Sequence, residues 1–224
     1  MKKIFFSLII LAILGIIAFF YFTRPVKVNE NTDTNSIIDS SNLKEGDIYE
    51  ISKKESVIGF KIDEILNGSP FTAIGTTSQL FGYLSIKDEI DNSILNFTQI
   101  KMDARTLHTD NSNRDGAINR FILKTTNEEN AYIIFEGKEN YIISKIKENE
   151  TLNFSIEGEL FISGITKKEV FDISLIKNVD RIIVSIKSTI KRSDFDLNIP
   201  NIPFVANVSD ELDIIGEIVL NKIN

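Results

Sequence analysis

After residue 46 the chain carries a two-residue period of apolar side chains, and this pattern limits what it can fold into more than any other feature. Phe154, Ile156, Gly158, Leu160 and Ile162 fall on one side of an extended segment, opposite Ser155, Glu157, Glu159 and Phe161. Ile182, Val184, Ile186, Ser188 and Ile190 repeat the pattern, opposite Ser185, Lys187 and Thr189. Leu212, Ile214, Gly216, Ile218 and Leu220 repeat it again, opposite Asp213, Glu217 and the less polar Ile215 and Val219. Phe171, Ile173 and Leu175 form a shorter row, as do Ile58, Phe60 and Ile62. Side chains alternate across a β-strand, so each segment has one apolar face and one mostly wet face. That is the signature of antiparallel sheet around a single interior. Eight or nine strands are expected between residues 47 and 221, several of them long. A closed or nearly closed barrel hides their edges best, with a two-sheet sandwich as the alternative.

One stretch breaks the period. Ser112-Asn113-Arg114-Asp115 reads as a capping box with Ser112 as the N-cap. Ile118, Phe121 and Ile122 follow as the apolar stripe of a short helix. Such a helix either lids one end of a barrel or covers a sheet edge.

The N-terminus is different in kind. Met1-Lys2-Lys3 precedes an uncharged run from Ile4 to Phe22. As a helix at ~1.5 Å per residue it would span roughly 28 Å, enough to cross a bilayer core. Phe19-Phe20-Tyr21-Phe22 stands where a cleaved signal peptide would carry small residues. Residues 1–23 therefore read as an uncleaved signal anchor in preference to a signal peptide. A short basic N-terminus usually stays in the cytoplasm. The expected location is thus the cell membrane, single-pass, with the C-terminal domain extracytoplasmic, periplasmic or on the outer surface. Residues 24–46, rich in Asn, Asp, Ser and Thr, read as a flexible polar linker. Residues 47–224 form the β domain.

Composition removes several classes of function. The chain has no Cys and one His among 224 residues, which leaves no thiolate metal site, Cys nucleophile, His-cluster metal site or disulfide. From residue 45 onward Lys and Arg number 20 and Asp and Glu 29, a formal charge of −9. Nucleic acid and anionic head-group surfaces are disfavoured partners for such a domain. No phosphate-binding glycine loop, nucleophile elbow or nucleotide fingerprint occurs. His108 lies in a polar stretch without a recognisable nucleophile, so no catalytic residue, metal or cofactor is assigned. Homodimer formation stays open.

Four blocks in order carry a family resemblance. They are Glu55-Ser56-Val57-Ile58-Gly59-Phe60; Thr106-Leu107-His108-Thr109 followed by Arg114-Asp115; Gly158-Glu159-Leu160-Phe161-Ile162-Ser163-Gly164-Ile165-Thr166; and Ile190-Lys191-Arg192-Ser193-Asp194-Phe195-Asp196-Leu197 followed by Val208-Ser209-Asp210-Glu211-Leu212. Together they resemble the YceI-like family of lipocalin-like, polyisoprenoid-binding domains. Glu55 stands where that family often has His, Asp196 where it has Gly, and Asn130-Ala131-Tyr132 where it has Tyr-Pro.

The resemblance implies an extended antiparallel lipocalin-like barrel with one short helix. It implies an apolar tunnel holding an isoprenoid lipid, either a polyprenyl chain or an isoprenoid quinone, in binding, transport or storage. The inward rows expected to line that tunnel are Ile58, Phe60, Ile62, Phe154, Ile156, Gly158, Leu160, Phe171, Ile173, Val184, Ile186, Leu212, Ile214, Gly216 and Ile218. Gly158 and Gly216 either leave room for the ligand or relieve crowding. Arg114, Asp115, Arg192 and Asp194 are candidates for a polar barrel mouth, with structural caps and salt bridges as the alternative. An enzyme acting on a hydrophobic substrate and a solid-cored envelope interaction module are the rival readings.

Overall fold

The period-two segments become strands of one continuous antiparallel sheet. A computed structural model describes residue 43, residues 45–200 and residues 205–223. The apolar run 4–22 and nearly all of the linker 24–46 lie outside the described residues. Among those described, no helix is long and apolar enough to cross a membrane.

The strands are β1 (Asp47–Ile51), β2 (Val57–Leu66), β3 (Ser69–Thr77), β4 (Leu80–Phe81), β5 (Tyr83–Asp88), β6 (Asn92–Phe97) and β7 (Ile100–Asp103). After a helical connection come β8 (Tyr132–Gly137), β9 (Tyr141–Ser144), β10 (Thr151–Ile162), β11 (Ile165–Lys177), β12 (Arg181–Lys191), β13 (Val205–Ala206) and β14 (Glu211–Ile223). The hydrogen-bonded order runs β4-β7-β8-β10-β11-β12-β14-β1-β5-β6-β9, with β2 and β3 continuing from β14. Only Gly82 separates β4 from β5, so the chain itself joins one end of that order to a strand near the other. The sheet curls round on itself as a barrel-like wall, in keeping with the lipocalin-like expectation.

The wall is not stitched all the way round. Strand β10 pairs with β8 through Gly158–Phe161, but its first seven residues pair only with β11. Tyr141, on β9, bridges that seam by donating its hydroxyl to the Glu157 carbonyl oxygen at 2.5 Å. Strands β11 and β12 pair only up to Asp172↔Lys187. Beyond that point the buried Ser188 donates to the Val170 carbonyl at 2.8 Å. The third gap is the break between β1 and β2. There the buried Ser56 hydroxyl accepts from Val219 N–H at 3.0 Å and donates to the Val219 carbonyl at 3.2 Å. Each buried serine supplies from its side chain a hydrogen bond that the parted backbones cannot make. The break at 52–56 also covers the outer side of β14, so Val219 is buried although it faces away from the interior.

The helical connection covers the expected stretch but changes type partway. Helix α1 (Ser112–Ala117) runs directly into a wider π-helical turn over Ile118–Ile122. Asn111, not Ser112, is the N-cap: its Oδ1 accepts from the N–H groups of Asn113 and Arg114 at 2.9 and 3.2 Å. The expected capping box is thereby corrected by one residue. The Asp115 carboxylate turns back to accept from Thr109 N–H and Oγ, both at 2.7 Å, and does not bond the cap backbone. Ser163, in the β10–β11 turn, donates to the Leu123 carbonyl at 2.9 Å and ties the helix end to the sheet.

The core also holds a buried phenol. Tyr49 has 0% exposure, and its hydroxyl has no partner among the described residues. Burial, then the charges of Asp47, Asp88 and Asp180, push its phenol up to about 12. Nearby, Asp88 accepts from Lys177 at 2.8 Å and from Ser93 at 2.6 Å. Burial raises its carboxyl, but these bonds and the charges of Lys177 and Lys145 outweigh that and hold it below the usual carboxylate range.

The two glycines on inward rows are explained by their neighbours. A Cβ at Gly158 would lie 2.4 Å from the Phe135 ring and 2.6 Å from the Glu136 carbonyl oxygen. One at Gly216 would sit 3.0 Å from the Val57 carbonyl oxygen and 3.2 Å from Ile186 and Ile58. Neither vacancy is left to a ligand, so the crowding explanation holds for both. Gly158→Ala must displace backbone as well as a ring and is expected to cost about 1–3 kcal/mol. Gly216→Ala is expected to cost less. Urea unfolding of both variants measures this, and equal stability of Gly158→Ala and the parent would contradict it.

Candidate ligand cavity

The inward rows of a curled sheet converge on its axis, but here they do not meet. They surround a cavity of about 1190 Å³. Ile58, Phe60 and Ile62 line it from β2; Phe154, Ile156 and Leu160 from β10; Phe171 and Ile173 from β11; Val184 and Ile186 from β12; and Leu212, Ile214 and Ile218 from β14. Each of these positions was legible in the two-residue period. Gly158 and Gly216, placed on the same rows, do not line the cavity.

Other wall residues were not legible. Leu84, Leu95, Phe97, Ile100 and Met102 come from β5, β6 and β7, where breaks at Gly82 and Thr98–Gln99 shift the alternation. By contrast Ile118, Phe121 and Ile122, the helical stripe expected from the sequence, line the cavity with Leu123 and cover one end. Glu64 also faces inward. The row Ile58, Phe60, Ile62 extends by one period to Glu64, so the signal was present in the alternation.

Aromatic rings gather beside the β9–β10 seam. Phe97 stacks on Tyr141 at 5.5 Å and on Phe135 at 6.0 Å, and Phe135 meets Phe171 edge-on at 5.0 Å. All four rings line the cavity. They offer a broad apolar surface without a directional partner.

The covered end carries the polar groups. Arg114 donates to Glu64 Oε1 at 3.1 Å and to Asp110 Oδ1 at 2.5 Å, with its guanidinium over the Phe71 ring at 5.2 Å. Glu64 is 7% exposed. Arg192 donates its Nε–H to the Ser209 carbonyl at 3.0 Å and its Nη1–H to the Leu197 carbonyl at 3.3 Å, with Asp210 at 3.9 Å. Asp210 in turn accepts from Ser193 N–H and Oγ. Both arginines line the cavity, but Asp115 and Asp194 do not. Asp115 latches the Thr109 loop, and Asp194 is exposed, its charge helping burial to raise the Glu169 carboxyl. Two of the four polar candidates thus belong to the scaffold beside the mouth. Asp196 takes a left-handed φ of 50° after the turn Arg192–Phe195, a conformation that glycine adopts without strain.

His108 is exposed, and its part is played by backbone: it exchanges hydrogen bonds with Thr76 at 2.9 and 3.0 Å. No group of three or more His, Asp or Glu placed to hold a metal ion occurs among the described residues. The chemistry on offer at this site is apolar enclosure with a few charged groups at one end.

Comparison with known proteins agrees with this architecture. The chain resembles, at TM-score 0.61 and 13% identity, a polyisoprenoid-binding domain from Saccharophagus degradans implicated in plant cell wall breakdown, covering 78% of this chain and 98% of that one. It resembles BcnA of Burkholderia cenocepacia at TM-score 0.54 and 14% identity, covering 75% and 98% respectively. At such identities these structures speak to the fold alone. No curated protein matches the chain. A YceI-like domain matches residues 49–220, from β1 to β14, and by that match the chain belongs to the YceI-like family.

Proposed function

We propose that this protein binds an isoprenoid lipid, a polyprenyl chain or an isoprenoid quinone, within the curled sheet. The apolar cavity of about 1190 Å³ carries the proposal. It exceeds the ~300–1,000 Å³ usual for small-molecule pockets, which suits a long chain. Its walls are mostly Ile, Leu, Val, Met and Phe, which favour methyl-branched alkene units through burial alone, at ~25 cal/mol per Å². The Saccharophagus degradans structure of the same fold is described as polyisoprenoid-binding, which supports the same ligand class here. Binding, transport or storage of the lipid follows more naturally than catalysis, because the two arginines are held by Glu64, Asp110 and backbone carbonyls.

The expected outcome is that the full chain, purified from membranes in mild detergent, yields a prenyl lipid in its organic extract by mass spectrometry. Ile173 pairs across strands with Phe154 and Ile186 at the middle of the wall. Ile173→Trp should therefore fill the cavity, lower the recovered lipid by about tenfold, equivalent to ~1.4 kcal/mol, and leave thermal stability unchanged or raised. Destabilisation by about 1–3 kcal/mol, the mark of overpacking a solid core, together with no lipid in the parent extract, would sink the proposal.

We further infer that Ile4–Phe22 anchors the protein in the cell membrane and that the β domain lies outside the cytoplasm. The uncharged run and the polar stretch after it support this. The chain should stay with membranes through alkaline carbonate and its β domain should be digested by protease added to spheroplasts. Recovery in the carbonate supernatant, or protection from the protease, would count against it.

A further inference from the structure

We propose that the mouth of the cavity selects a lipid whose head group is an uncharged hydroxyl and turns away the corresponding phosphate. The inference rests on the lipid-binding reading of the same cavity and adds to it the class of head group.

Three charged side chains line the cavity: Glu64, Arg114 and Arg192. Each arginine is already committed. Arg114 spans Glu64 and Asp110 with its two terminal nitrogens. Arg192 is held by two backbone carbonyls and lies 3.9 Å from Asp210. Two guanidinium groups therefore face three carboxylates, Glu64, Asp110 and Asp210. A phosphate monoester carrying about −1.5 to −2 charges would meet a surplus of negative charge. On the N–H groups of Arg114 that remain, it would stand beside the Glu64 carboxylate that shares the same guanidinium, a repulsion that a poorly solvated place strengthens.

An alcohol meets no such conflict. Arg114 occupies Oε1 of Glu64, which leaves Oε2 to accept from a hydroxyl. Asn67, Asn111 and Asn113 also line this end and add neutral hydrogen-bonding groups. The surrounding domain, at −9 from residue 45 onward, works in the same direction on an approaching anion.

The test is competition between geranylgeraniol and geranylgeranyl monophosphate, offered in equal amounts to the delipidated full chain at neutral pH and read by native mass spectrometry. The alcohol complex is expected to exceed the phosphate complex by about tenfold or more. Glu64→Gln should narrow that ratio to about threefold or less. Asp110→Asn, at an exposed position, should narrow it in the same direction and covers the case in which Glu64→Gln does not fold. Equal or greater occupancy by the phosphate in the parent protein, or an unchanged ratio in the folded variants, would overturn the selectivity while leaving the lipid-binding reading standing. Occupancy by neither ligand would overturn both.

Discussion

A strand with one apolar face must cover that face, and in this protein the curl of a single sheet covers all of them at once. Everything else follows from how wide that curl is. If the inward rows met, the interior would be an ordinary core. They stand apart instead, around about 1190 Å³. At ~24 cal/mol per Å³, the figure for voids left in packed cores, a space of that size would cost tens of kcal/mol. A domain's whole stability is about 5–15 kcal/mol. The space therefore cannot be understood as loose packing. It is a compartment that the wall is built to hold open.

Holding it open requires long strands that bend. Strands β1 and β2 are two halves of one run along β14, parted at 52–56, and Ser56 carries the ladder across the gap. Strands β4 and β5 are likewise one run bent at Gly82, and β6 and β7 one run bent at Thr98–Gln99. Ser188 and Tyr141 close further gaps where the backbones diverge. The family motifs serve the same purpose at the covered end. Asp115 fastens the loop at Thr109, Ser163 fastens the helix end, and Asp210 fastens the turn that carries Arg192. The blocks that carry the resemblance hold both kinds of residue: these fasteners, and lumen-facing Ile58, Phe60, Leu160 and Leu212. The residues facing the lumen are simply apolar.

The part of this arrangement that was legible in the sequence is the part set by local alternation. Phe154, Ile156 and Leu160 face the lumen because a strand with a wet side declares which side is dry, and the same holds for Ile173, Ile186 and Ile214. What was hidden depends on partners distant in sequence. Gly158 reads identically whether its missing side chain leaves a hole or admits a ring, and only its position beside Phe135 decides. Phe97, Ile100 and Met102 were obscured because the strand breaks between them. Asn111 displaced Ser112 as cap because Asp115, which would have completed a capping box, is drawn to Thr109 instead. Glu64 and Leu66 could have been found by continuing the row Ile58, Phe60, Ile62.

The central claim is that the lumen is a lipid compartment, and locating a heavy atom inside it tests this most directly. A crystal of the protein grown with a terminally brominated prenyl alcohol should show anomalous bromine density within the space bounded by Phe171, Ile173 and Ile186, beneath the turn Ile118–Ile122. Bromine only on outer surfaces, with those inward rows meshed across the axis and no continuous space between them, would contradict the account.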